Sequence, residues 1–349
     1  MEQTVDTRVI NTNHQDVILD VAYDFYGQRM ATCSADQHVK IYDLDESTKE
    51  WVPVATFKAG DASVLRLMWA HPEYGQAVAT CSLDRTVRIF TEQEAEADTK
   101  KWVESARLTD ARSSVMDICF APVRLGCKLA TVAADATVRI YEAIEPGNMA
   151  SWTLLEEFGL MKNPPSRNVE CSFCVRWCPS RWHNQMLAVG CMDQVLLYSY
   201  NRKNKWTKVG SLDGHTDLVR DIAWAPSLGK NYHLVATGCK DGRLRLFKLN
   251  RNFESAVQPY LMTDSVSENE DGEMTNSNVE AEDVEVELVG NYDHFKSQVW
   301  RCEFNVTGTI LSTSGDDGCV RLWKTSYANQ FNCISVISLQ RENKSFSSN

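Results

Sequence analysis

One pattern recurs along this chain at a spacing that leaves few folds open. MATCSADQHVKIYD ends at Asp43, VATCSLDRTVRIF at Phe90, LATVAADATVRIYE at Glu142, LVATGCKDGRLRLFK at Lys248 and ILSTSGDDGCVRLWK at Lys324. A weaker copy, MLAVGCMDQVLLYS, ends at Ser199. Repeats spaced by some tens of residues mark one supersecondary unit stacked many times, since each copy hides its apolar face against the next. Each copy runs from an apolar stretch of small residues, through a turn bearing Asp, to an alternating run that ends on an aromatic. That order describes two antiparallel strands joined by a tight turn. In five copies the turn residues Asp36, Asp84, Asp135, Asp241 and Asp317 precede Tyr42, Phe90, Tyr141, Phe247 and Trp323 by six positions. In the fourth copy Tyr198 lies only five after Asp193, and Met192 takes the turn position.

Upstream of each turn an alternating segment carries Tyr23, Trp69, Phe120, Trp177, Trp224 or Phe304, which adds a third strand. Downstream, WVPVATF, KWVESARL, SWTLLEEF, KWTKVGSL, VEVELVG and CISVISL each supply a fourth. Four antiparallel strands per repeat make a propeller blade. The sequence therefore predicts an all-β, six-bladed β-propeller in one domain over residues 1–340. Its blades fall near 14–59, 60–110, 111–160, 170–213, 214–290 and 291–340, and a polar tail occupies 341–349.

These residues resemble the WD-repeat family over nearly the whole chain outside the acidic segment and the two ends. The resemblance implies a blade network in which a His near the start of the repeat bonds to a Ser or Thr and to the turn Asp. His14, His215 and His294 match that His, and Asp36, Asp84, Asp135, Asp241 and Asp317 match that Asp. The second and third repeats have Asp61 and Asp110 near the His position, so packing is expected to carry more of the load there. A role repeated around the ring is architectural, so these groups are not read as catalytic or metal-binding.

Composition narrows the function. A 43% hydrophobic fraction supplies a core without external staples. The first residues have no apolar run behind a basic start, and no stretch approaches the roughly 18 apolar residues of a membrane span, so a soluble, unsecreted chain is expected. The twelve cysteines then read as reduced, packed thiols. Cys171, Cys174 and Cys178 include a C-x-x-C pair, but no second pair follows, and SFCVRWC alternates as a strand. No metal or cofactor is expected. The formal charge of −11 resides in residues 253–287, which hold eleven Asp or Glu and no Lys or Arg. That stretch lacks the apolar content to fold and is predicted to be a disordered insertion. With no basic stripe, a direct nucleic-acid partner is excluded, and with no basic amphipathic stretch, so is direct membrane insertion. Absence of G-x-S-x-G, H-E-x-x-H and phosphate-binding glycine loops argues against an enzyme.

Propellers commonly close by letting one terminus complete a blade begun by the other, since an open ring leaves strand edges unpaired. Here all six repeats own four strands, so a gap between the first and last blades would accept strands from a partner. The candidate edge contacts are Val5, Val9 and Ile10 near the first blade and Ile334, Val336 and Ile337 in the last. Closure within the chain is the competing reading. VAYDFYGQRMATCSADQHVKIY, IYEAIEPGNMASWTL, FCVRWCPSRW, WAPSLGKNYHLVATGCKDGR and NVTGTILSTSGDDGCVRLWK further resemble the small WD-repeat nucleoporins of the SEH type, relatives of a WD-repeat subunit of the outer COPII coat. That resemblance implies an open ring completed by a blade from an α-solenoid nucleoporin, in the Y-shaped complex of the nuclear pore at the nuclear envelope. It also implies roles in protein and mRNA transport. A second assembly is implied too, the SEA (GATOR-type) complex that regulates TOR signalling at the vacuolar or lysosomal membrane. A COPII-type coat subunit is the alternative.

Overall fold

Alternation of apolar and polar residues keeps each repeat extended, and turns at fixed positions fold it back on itself. The structure, a computed structural model, describes residues 9–94, 100–166, 169–179, 185–201, 203–226, 229–251, 284–293, 297–326 and 330–338. Among these residues, six four-stranded antiparallel sheets form, each from consecutive strands. Blade 1 holds β1 (Ile18–Tyr23), β2 (Arg29–Ser34), β3 (His38–Leu44) and β4 (Trp51–Lys58). Blade 2 holds β5 (Val64–Trp69), β6 (Ala77–Ser82), β7 (Val87–Glu94) and β8 (Lys100–Leu108). Blade 3 holds β9 (Val115–Phe120), β10 (Lys128–Ala133), β11 (Thr137–Ala143) and β12 (Trp152–Gly159). Blade 4 holds β13 (Phe173–Trp177), β14 (Met186–Cys191), β15 (Gln194–Tyr200) and β16 (Trp206–Leu212). Blade 5 holds β17 (Val219–Trp224), β18 (His233–Cys239), β19 (Arg243–Arg251) and β20 (Val284–Asp293). Blade 6 holds β21 (Val299–Phe304), β22 (Ile310–Gly315), β23 (Cys319–Thr325) and β24 (Phe331–Ser338). The six-bladed β-propeller expected from the repeats is the fold of the chain.

The turn between second and third strands needs one residue in the left-handed region, and in the five regular copies it is the residue after the turn Asp. Gln37, Arg85, Ala136, Gly242 and Gly318 have φ of 73°, 72°, 57°, 78° and 69°. In blade 4 the hairpin is one residue shorter. Cys191 pairs directly with Gln194, and Met192 adopts φ 58°. The deviation seen in the sequence is thus a shorter loop on an otherwise regular pair.

Blades pack face to face, and the apolar rows between them form the core. Among the described residues five buried clusters fill five junctions. Ala31, Cys33, Val39 and Ile41 meet Leu67, Trp69 and Phe90 between blades 1 and 2. Ala79, Cys81, Val87 and Ile89 meet Ile118, Leu129 and Tyr141 between blades 2 and 3. Ala130, Val132, Val138 and Ile140 meet Val175, Trp177 and Tyr198, Val195 and Leu197 meet Ile222, Trp224 and Phe247, and Ala236, Leu244 and Leu246 meet Leu311 and Trp323. Each buried Val, Leu or Ile in these rows contributes roughly 1.5–3 kcal/mol. No such cluster joins blade 6 to blade 1 among the described residues.

Two expectations change at this level. Residues 284–287, counted in the acidic insertion but also in the expected fourth strand VEVELVG, open β20, because Val284 and Val286 alternate with Glu285 and Glu287 and pack against the cluster between blades 4 and 5. The rest of the insertion, residues 253–283, lies outside the described residues, as does the tail 341–349. Val9 and Ile10 belong to no strand; they precede β1 in a segment held instead by side chains, with Lys40 Nζ and the Tyr42 hydroxyl donating to the Thr12 carbonyl at 2.9 and 3.2 Å. The twelve cysteines are free thiols, nine of them buried, and no group of His, Cys, Asp and Glu among the described residues has a metal-binding arrangement. No described helix is long and apolar enough to cross a membrane.

Candidate partner-binding site

The turn carboxylates tie five of the six blades together. In blade 1, His14 bridges Asp36 at 2.8 Å and the Thr32 hydroxyl at 2.9 Å, while the backbone N–H groups of Gln15 and His38 donate to the same Asp36 carboxyl. Burial pushes that carboxyl up, but these hydrogen bonds outweigh it and bring its pKa to about 2. In blade 5, His215 contacts the Thr237 hydroxyl at 2.8 Å, and burial and the nearby Arg245 bring its pKa down to about 4. His294 lies outside the described residues.

Sequence reasoning missed the partner that most turn carboxylates use. Arg88, Arg139, Arg245 and Arg321, each four residues after the turn Asp, reach Asp84, Asp135, Asp241 and Asp317. The signal was present as an Arg in the V-R or L-R step of four of the six repeats. Blade 1 has Lys40 at that place, and there His14 engages the carboxylate. Blades 2 and 3, which lack the His, do not rest on packing alone. Arg88 also bonds Asp61 at 2.5 Å, and the Tyr141 hydroxyl donates to Asp110 at 3.0 Å.

A second missed network surrounds the axis. Three residues before each innermost aromatic stand Asp20, Arg66, Asp117, Cys174, Asp221 and Arg301. Arg176, two positions beyond Cys174, supplies the charge for blade 4. Each of the three Asp carboxylates accepts an N–H from the next blade: Leu67 to Asp20 at 3.1 Å, Val175 to Asp117 at 2.9 Å and Cys302 to Asp221 at 3.2 Å. Arg66 and Arg176 both bridge Asp117 and Asp221, at 2.6 to 3.5 Å. Burial opposes the Asp221 charge, yet the two guanidinium groups still hold its pKa below the usual carboxylate range. These contacts lock the centre of the ring, where isolated charges would be costly.

At the junction of blades 6 and 1 the pattern of burial breaks. Residues opposite one another on paired strands share a face. On blade 1 that rule puts Val21 and Tyr23 on the face turned from blade 2, opposite Thr32 and Met30. They are 49% and 55% exposed, while the corresponding Leu67 and Trp69 of blade 2 are 4% and 8% exposed. On blade 6 the row formed by Ser312, Ser314, Val320 and Leu322 corresponds to Ala31, Cys33, Val39 and Ile41, yet it joins no core cluster and Val320 is 38% exposed. Arg301 reaches across to Asp20 at 3.6 Å and to the Leu19 carbonyl at 3.1 Å. A cavity of about 580 Å³ opens here, lined by Val21, Ser312, Ser314 and Val320 and continuous with the axial charges.

The predicted edge residues divide around this junction. Ile337 pairs with Val320 and shares the uncovered face. Val336 pairs with Arg321 and faces the other way, and Ile334 sits in the β-bulge between the Leu322 and Trp323 pairs. Val9 is 86% exposed, and Val5 lies outside the described residues. Exposed Val21 and Tyr23 were the stronger candidates. The sequence does not single them out, because the same positions are buried or partly buried apolar residues in the other blades.

A family model described as WD domain, G-beta repeat matches residues 7–43, 206–248 and 287–324. The chain is similar to Nucleoporin seh1 of Schizosaccharomyces pombe, with 56% identity over 97% of this chain and 98% of that protein. It is 39% identical to Nucleoporin SEH1 of Saccharomyces cerevisiae over 95% of this chain and 99% of that protein, and 40% identical to Nucleoporin SEH1 of Homo sapiens over 95% and 88%. Fold, turn networks and matched repeats together define a WD-repeat β-propeller. Within that class, the chain belongs to the SEH1 nucleoporin family.

Proposed function

We propose that this protein is a scaffold subunit of the nuclear pore, and that it binds an α-solenoid nucleoporin of the Y-shaped complex by accepting strands between blades 6 and 1. The observation that carries the binding mode is the uncovered pair of faces: five blade junctions have apolar cores, whereas Val21, Tyr23 and Val320 are left exposed beside a cavity at the sixth. An inserted blade would cover those side chains by packing face to face, as the other blades do, and so bury their apolar surface. The nucleoporin names of its relatives support the nuclear pore assignment. The transport of protein and mRNA then follows from residence in the pore. The same surface would serve the SEA-type assembly at the vacuolar membrane that the sequence resemblance implies.

The test is retention of the stoichiometric solenoid partner by the tagged full chain. Val320→Arg places a charge in the inserted blade's path and should abolish retention while the propeller still melts cooperatively. Undiminished retention by a folded Val320→Arg chain would overturn the insertion mode.

A further inference from the structure

The cavity at the junction carries an unbalanced charge. Its charged lining comprises Asp20, Asp117, Asp221 and Glu303 against Arg66, Arg176 and Arg301. Six of these seven are engaged. Arg66 and Arg176 bridge Asp117 and Asp221, and Arg301 takes Asp20 across the junction. Glu303 is the remainder. Its backbone pairs with Ser312 on β22, so its side chain lies on the same uncovered face as Ser312, Ser314 and Val320. No hydrogen bond or ion pair reaches its carboxylate among the described residues, although its carbonyl accepts from the Ser312 hydroxyl at 3.1 Å. The corresponding positions in the other blades are Ala22, Met68, Cys119, Arg176 and Ala223, so an acid is found here only in the blade that borders the junction. Its side chain is exposed in the isolated chain, yet it lies close enough to the axial charges that desolvation, aided by Asp221 and Asp20 and opposed by Arg176 and Arg66, shifts its pKa above the ordinary carboxylate value. An ionised carboxylate in such a place is stabilised by a cation brought to it and destabilised by neutral cover.

We infer that the innermost strand of the inserted blade carries a Lys or Arg side chain that pairs with Glu303 and completes the axial charge ring. The inference rests on the insertion proposed above and adds to it the chemistry of the strand that fits. Arg176 offers the precedent. It stands in the position of blade 4 that Glu303 occupies in blade 6, and it satisfies two carboxylates there.

The experiment uses the full chain co-expressed with the α-solenoid nucleoporin that it retains, and reads affinity together with the melting of the isolated propeller. Glu303→Gln removes the charge and keeps the shape. It should weaken the complex by about tenfold or more, the usual scale for truncating one partner of a covered charge pair, while the isolated chain melts at or above the wild-type temperature. Opposite signs in the two readouts separate a partner-pairing role from a structural one. Glu303→Lys should weaken binding further, and Lys or Arg→Glu in the partner strand should restore it. If Glu303→Gln and Glu303→Lys both bind like wild type while Val320→Arg does not, insertion stands and the charge match is overturned. If Val320→Arg also binds like wild type, the insertion itself falls, and this inference with it. Should Glu303→Lys fail to fold, the isosteric Glu303→Gln decides.

Discussion

At the scale of single residues, the blade networks are built to hold particular protonation states. His215 is kept neutral, with its pKa near 4, chiefly by burial and by the adjacent Arg245. That value lies below the unfolded-state value of about 6.5. The unfolded chain therefore binds the extra proton first, so stability from this site is complete above about pH 6.5 and is lost as the pH falls toward 4. The loss should reach up to about 3 kcal/mol, seen as a falling urea midpoint over that window that is flatter in His215→Asn. Asp36 and Asp241 act at lower pH. For both, burial raises the pKa but hydrogen bonds more than compensate, from Gln15, His14 and His38 in one case and from Arg245 and Arg243 in the other, leaving each near 2. Their contribution is present above about pH 4 and disappears as the pH falls through 2. Backbone conformation gives a separate prediction. Gly318 has φ 69°, and the space that an added methyl would fill is open, so Gly318→Ala should lose about 1 kcal/mol from the left-handed backbone alone, measurable as a lowered melting temperature.

At the scale of the element, the turn between second and third strands shows what sequence can and cannot convey. The turn Asp and the aromatic six residues on were legible because they recur at one offset, and so was each four-stranded blade. The Arg four residues after the turn Asp recurs in four of the five regular copies, but a charged residue in an alternating strand reads as solvent-facing until its depth is known. Arg139 is instead 1% exposed and bonds Asp135 at 3.0 Å and Glu157 at 3.2 Å. Arg139→Ala would strand the Asp135 carboxylate and remove packing as well as charge. It should destabilise the chain by about 3 kcal/mol or more, whereas Arg107→Ala, whose exposed side chain meets Glu104, should change stability by under about 1 kcal/mol. Urea denaturation of the two variants checks the contrast. Blade 4 marks the other limit. Its missing Asp looked like a defect in the repeat, but removing one residue from the hairpin lets Cys191 pair with Gln194, so the sheet keeps its register without that carboxylate.

At the scale of the whole molecule, the ring is asymmetric although its repeats are alike. The axial charges join blades that are not neighbours, since Arg66 of blade 2 reaches Asp221 of blade 5 at 3.1 Å. Such a contact appears only when the chain closes on itself, which is why the charges three residues before most of the innermost aromatics carried no visible meaning in the linear sequence. The junction between blades 6 and 1 was inferred from strand counting and from the family resemblance, and the residues that border it, Val21, Tyr23, Ser312 and Val320, have the same apolar or small character as their buried counterparts elsewhere. Equivalent side chains in unequal surroundings make a direct comparison possible. Val138 is fully buried between blades 3 and 4, whereas Val320 occupies the same repeat position and faces the cavity. Val138→Arg forces an unpaired charge into a packed core and should cost more than about 4 kcal/mol, enough to unfold a marginally stable chain. Val320→Arg in the isolated chain should stay within about 0.5 kcal/mol of wild type, as a surface substitution does. Equal destabilisation of the two in thermal melts would mean that the sixth junction is packed like the others and that no room remains there for a partner's strands.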